Sequence, residues 1–261
     1  MLTKSTIRFL PLLLSQSQTA LITLWALIMI TLPIVDWNYG WDVMAGAIIV
    51  GVLVQVIVVS NVLWSTWGPL KTIRVAGMVI VLGWSAEAIG SRTGFPFGGY
   101  SYTEALQPQF FHVPLLIPLA WLMMLPPAWA VAKVISSRFT DRWQTPIFFG
   151  LSALAMTAWD LFLDPQMVTW GLWEWHSPSG FFGIPWSNYL GWLLVSALIT
   201  LIIHPRQLPV APLLIIYTIT WLLQTVGLGV FWNMPGPAIV GGVVMGSLTI
   251  LGWRAYLNNS A

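Results

Sequence analysis

Eight apolar stretches, each long enough to span or nearly span a bilayer, divide this sequence, and they constrain its fold more than any other feature. They run approximately from Gln18 to Val35, Val43 to Trp64, Ile73 to Gly90, Val113 to Ile135, Pro146 to Leu163, Asn188 to Ile203, Val210 to Phe231 and Ala238 to Ala255. A helical crossing needs roughly 20 such residues. Between the stretches lie turn residues, at Asp36 to Gly40, Gly68-Pro69, Gly98-Gly99, His204-Pro205 and Met234 to Pro237. Ten Lys and Arg with eight Asp and Glu make only 7% of 261 residues charged, against about a quarter in a soluble domain. The expected fold is an all-α polytopic transmembrane helical bundle, one domain over residues 1–261, with about eight spans. The short sixth stretch and the Gly-rich last one leave seven or nine open.

Charge placement tests the topology, because Lys and Arg are retained on the cytoplasmic side. With the N-terminus inside, the inner segments hold Lys4, Arg8, Lys71, Arg74, Lys133, Arg138, Arg142, Arg206 and Arg254, and the outer ones hold Arg92 alone. That asymmetry predicts both termini in the cytoplasm. Two basic residues precede the first stretch without a small-residue cleavage site at a suitable distance, so it reads as an uncleaved helix. The acids sort oppositely. Asp36, Asp42, Glu87, Glu104, Asp160, Asp164 and Glu174 fall outside, and Asp141 lies inside among arginines. A polar outer rim would explain this without any chemistry.

Two long outer loops, from Glu87 to Tyr102 and from Asp160 through Trp173-Glu174-Trp175-His176 to Asn188, are dense in Gly, Pro and aromatics. Loops of this length in a compact protein are usually functional. Both are expected to fold back over the helix ends as a lid.

Several chemistries are made improbable by what is missing. With no cysteine there is no thiolate nucleophile and no cysteine-ligated cluster. His112, His176 and His204 are far apart, unlike the clustered histidine boxes of membrane di-iron oxygenases. Carboxylates, amides and eighteen Trp remain.

Glu87 lies about one turn before the end of the third stretch, preceded by Trp84, and an ionisable residue at membrane depth is a functional candidate by default. Arg92 is its obvious mate, and an ion pair pinning the loop is the structural alternative. Asp160 and Asp164, spaced i,i+4, share one helical face. Their carboxyls compete for ionisation there, which makes one a candidate proton donor. Pro165 is expected to stop the helix just after them, which would leave Asp164 in a turn. Asn188 opens the sixth stretch as a candidate N-cap. The tryptophans at 170, 173, 175 and 186 read either as an interfacial belt or as faces for a cation. His112 and His176 read as interface residues.

Taken in order, the segments E-A-I-G-x-x-x-G-x-P-F-G-x-Y-x-Y (Glu87 to Tyr102), V-P-L-x-I-P-x-x-W (Val113 to Trp121), A-W-D-x-x-x-D-P (Ala158 to Pro165), W-x-W (Trp173 to Trp175) and F-G-I-P-W-S-N-Y-x-G-W (Phe182 to Trp192) resemble the membrane carotenoid 1,2-hydratases of the gamma-carotene 1'-hydroxylase and bisanhydrobacterioruberin hydratase type. The similarity covers roughly residues 75 to 195. It implies a cofactor-free enzyme of the cell membrane that adds water across the terminal C1=C2 double bond of an acyclic carotenoid end group, giving a tertiary alcohol. Such chemistry needs a proton donor, a dry pocket and a held water. On this reading Asp160 is the acid, with Asp164 or Glu87 as partner and the reverse assignment open. Trp84, Trp159 and Tyr100 are candidate cation stabilisers, and Arg92, Tyr102, Trp175 and Asn188 complete the substrate-binding set. The implied partners are a long polyene and the bilayer, with no nucleic acid and with docking of other carotenoid biosynthesis enzymes left open.

Three other readings stay open. D-x-x-x-D spacing also suits magnesium and a diphosphate in an intramembrane prenyltransferase, although a second Asp-rich motif and nearby basic residues are lacking. End-group cyclisation starts from the same protonated alkene. A proton-coupled transporter using Glu87 and Asp160 would be expected to place its polar groups at mid-membrane.

Overall fold

The computed structural model describes residues 14–259, so Lys4 and Arg8 of the charge argument lie outside the described residues. Seven helices long and apolar enough to cross a membrane follow one another among these residues: α1 (Gln16–Tyr39), α2 (Trp41–Thr93), α3 (Leu116–Ser136), α4 (Asp141–Thr169), α5 (Trp186–Ile203), α6 (Val210–Val226) and α7 (Pro235–Asn259). A π-helical turn at Gly227–Phe231 extends α6. The molecule is an integral membrane helical bundle. The turn expected from Asp36 to Gly40 shrinks to one residue, because α1 runs on to Tyr39 and Gly40, at φ 76°, reverses the chain.

The 53 residues of α2 would reach about 80 Å as one straight helix, far more than a hydrocarbon core of about 30 Å. Gly68 breaks it at φ 73° and ψ 173°, just before Pro69. The two parts are each long enough for one crossing, and the break falls where the Gly-Pro pair predicts it.

The central helix is α3, with 15 of 21 residues buried. Its tolerance of Pro126 and Pro127 follows from being enclosed by neighbours on all sides. Polar ties fix the helices around it: Trp129 Nε1 donates to Thr200 Oγ1 of α5 at 2.8 Å, and Tyr217 OH of α6 to the Ala155 carbonyl of α4 at 2.9 Å. Between apolar helices in lipid, small residues that allow close approach matter more than hydrophobicity. Accordingly, α7 lays Gly241 against the Phe162 ring and Gly246 against Trp221.

Segments expected on one side of the membrane meet at each end of the bundle. At one end Trp67 Nε1 donates to the Arg206 and Gln207 carbonyls, Lys71 Nζ donates to the Arg206 carbonyl, and Asn259 reaches Ser137. At the other, Trp170 packs on both Trp41 and Trp232. Here the two long loops join. Strand β1 (Tyr100–Tyr102) pairs antiparallel with β4 (Trp173–Trp175), in the register Tyr100 with Trp175 and Tyr102 with Trp173. A second pair, β2 (Gln109–Phe110) with β3 (Val113–Pro114), occupies residues expected to begin the fourth span, so α3 starts at Leu116. The β1/β4 ribbon is the lid.

Candidate active site

Helix α4 brings two carboxyls to one point beneath the lid. Pro165 does not stop it, contrary to the sequence expectation. The helix continues to Thr169, and Asp164 is 3% exposed and Asp160 fully enclosed. A helical proline gives up one backbone bond, which close packing compensates: Gln166 and Met167 beyond it are buried and the Trp173 indole donates back to Asp164 Oδ1 at 2.8 Å.

Asn188 is not an N-cap. Pro185 holds that position without a side-chain cap bond, and Asn188, one turn inside α5, points its amide at the aspartates. Its Nδ2 donates to Asp160 Oδ2 at 2.9 Å and to Asp164 Oδ2. One buried amide therefore bridges both carboxyls. Asp160 Oδ1 has no hydrogen-bond partner among the described residues.

Glu87, 4% exposed, completes the acid set from α2. Tyr100 OH and Tyr102 OH donate to its Oε2 at 2.5 and 2.8 Å, and Trp121 Nε1 donates to Oε1 at 3.1 Å. The ion pair with Arg92 is replaced by these three donors. Arg92 instead lies over the Phe111 ring at 4.9 Å, on the exposed end of the helix. Burial, and next the Glu87 charge, push both phenols well above their usual range, so Tyr100 and Tyr102 stay protonated as donors.

Glu87, Asp164 and Asn188 share one small chamber with Tyr100, Tyr102, Trp121, Trp173, Trp175 and Trp192. Trp121 and Trp192 stack at 4.5 Å and 9°, and Trp159 meets Trp192 edge-on. The chamber is roofed by lid residues and is aromatic on nearly every side. Trp84 is set apart, with its indole on the Phe110 carbonyl. Trp121 is a site residue the sequence did not single out beyond its motif, and Trp173, expected as a belt residue or cation face, is an Asp164 donor. In W-x-W the rings of Trp173 and Trp175 share one face of the strand. Among the described residues no three His, Asp or Glu side chains converge to hold a metal ion.

Behind the chamber lies a larger apolar cleft of about 980 Å³, part of it open, among α1, α2, α3, α4 and α6. Ile117, Ala120, Leu163 and Trp173 line both spaces, so the two share a wall. Helix α4 thus presents Asp164 to the chamber, Trp159, Gln166 and Trp170 to the cleft, and Leu163 to both, while Asp160 is fully enclosed.

Buried carboxyls beside an aromatic chamber and an apolar cleft, within a bundle of membrane helices, make up the candidate site. Residues 43–248 match the family model described as carotenoid biosynthesis protein, and the chain belongs to that family. It is also similar to the bisanhydrobacterioruberin hydratase of Haloarcula japonica, 26% identical over 173 residues that cover 61% of this chain and 58% of that relative. No solved structure matches.

Proposed function

We propose that this protein hydrates the terminal C1=C2 double bond of an acyclic carotenoid end group. The observation that carries the reading is the Asn188 amide joining the fully enclosed Asp160 to Asp164, which lines the aromatic chamber together with Glu87. Asp160 gives its proton to C2, leaving a tertiary cation at C1. A water held by Asp164 adds its oxygen to C1 and passes a proton to that carboxylate. Transfer of this proton from Asp164 to Asp160 within the clamped pair restores the starting state, so the net change is addition of one water. Glu87, held by three donors, serves as a fixed counter-charge to the cation. The Trp121, Trp192 and Tyr100 rings of the chamber flank it and stabilise it through their π faces, with Trp159 packed edge-on against Trp192. The similarity to a hydratase supports the choice of hydration over cyclisation.

The test is expression in cells that accumulate an acyclic-ended carotene, with growth in ¹⁸O-labelled water and mass analysis of the pigment. The expected product is heavier by one labelled water. An unchanged mass with shifted absorption, which marks cyclisation, or an unaltered pigment overturns the proposal.

A further inference from the structure

The apolar cleft behind the chamber contains polar groups that a hydrocarbon cannot satisfy. Gln166 is 3% exposed and lines the cleft. Gln224 Oε1 and the indole nitrogens of Trp159 and Trp232 are buried without hydrogen-bond partners among the described residues, and all three residues line the cleft. Gln55, 3% exposed, donates from Nε2 to Met124 Sδ and to Thr220 Oγ1, both at 3.4 Å, the second long for an N–H···O bond. Thr220 and Gln224, spaced i,i+4, share one face of α6. Unpaired buried polar groups are costly and call for a partner.

We infer that the cleft binds the hydroxylated end group of the product. A tertiary hydroxyl both donates and accepts, which suits glutamine amides and indole N–H groups together, while the surrounding apolar wall takes the attached polyene. The inference rests on the proposed hydration and deepens it. The acids that add water also catalyse its loss, because protonating the tertiary hydroxyl in the chamber regenerates the same cation and a water. An alcohol that crosses the shared wall into the cleft is held away from Asp160 and is preserved. A hydrocarbon end group gains nothing from the amides, so the cleft discriminates product from substrate.

The experiment measures binding without turnover. Purified Asp160→Asn protein in lipid nanodiscs is titrated with an acyclic carotene and with its 1-hydroxy counterpart, and quenching of tryptophan fluorescence by the polyene is followed. The 1-hydroxy carotene is expected to bind about tenfold more tightly. Adding Gln166→Leu or Gln224→Leu should abolish that preference while hydrocarbon binding is kept, and retained hydrocarbon binding shows that the cleft is folded. Thr220→Val serves as a milder variant with the same expected direction. Equal binding of the two carotenes, a preference that survives both glutamine changes, or an equal loss for both carotenes overturns the inference. A failed hydration assay with the preference intact would remove the proposed reaction and leave the binding site standing.

Discussion

Asn188 supplies one amide to two enclosed carboxyls. Asn188→Leu leaves both Oδ2 atoms without that donor, at a cost of about 1–3 kcal/mol, and should lower thermal stability and pigment conversion together. Asp160→Asn keeps the shape and removes the proton. Conversion is expected to fall by about 10²–10⁴-fold at unchanged protein level, and full conversion would remove Asp160 from its role. The lid phenols make a pH prediction. Below the usual phenol value of 10 the folded and unfolded chains both carry these protons, so the phenols give stability no pH dependence there. Above it the unfolded chain loses protons that the folded one keeps, and stability falls as pH rises. Tyr100→Phe/Tyr102→Phe protein should show a shallower alkaline loss of stability than the parent in thermal melts between pH 9 and 11. At this scale the i,i+4 pair of aspartates and the buried Glu87 were legible, because helical spacing and the cost of charge in lipid are local facts. The exchange of Arg92 for two tyrosines and Trp121 was not, since it depends on how a distant loop and α3 meet α2.

Phe97 shows how the lid element is fastened. Its ring lies between Gly90 of α2 and Gly191 of α5, and a Cβ at either glycine would come within 2.6 Å of it. At Gly191 that Cβ would also stand 2.9 Å from the Pro96 carbonyl oxygen, and backbone cannot turn away as a flexible side chain can. Ser187 Oγ donates to the Phe97 carbonyl at 3.1 Å, tying the same point to α5. Gly191→Ala is therefore expected to destabilise the protein by about 1–3 kcal/mol, visible as a lower Tm and as faster protease cleavage in the 95–102 segment. Wild-type behaviour in both would contradict the clamp. The helices themselves were legible from apolar length, and the break in α2 from Gly68-Pro69. The β1/β4 pairing was not, because two three-residue strands about 70 positions apart carry no periodic signal of their own. Pro165 misleads for a related reason: its local effect is to end a helix, and enclosure by neighbours overrides it.

For the whole molecule, the charge map predicts an even number of crossings with both termini cytoplasmic. The pairing of 67–71 with 204–207 at one end and of Trp41, Trp170 and Trp232 at the other agrees with the alternation. With no native cysteine, single Arg92→Cys and Arg142→Cys variants in intact cells give a direct test. A membrane-impermeant thiol reagent should label the first and not the second, and the opposite pattern would invert the topology.

The ribbon of β1 and β4 also decides how the protein meets its substrate. With Tyr100, Tyr102, Trp173 and Trp175 lining the chamber, the larger and partly open cleft between helices is the proposed approach from the bilayer. On the proposed reaction, the protein samples a two-dimensional solution. Its turnover should follow the mole fraction of carotene in the membrane, so adding carotene-free lipid slows it even when the amounts of enzyme and pigment in the tube are unchanged.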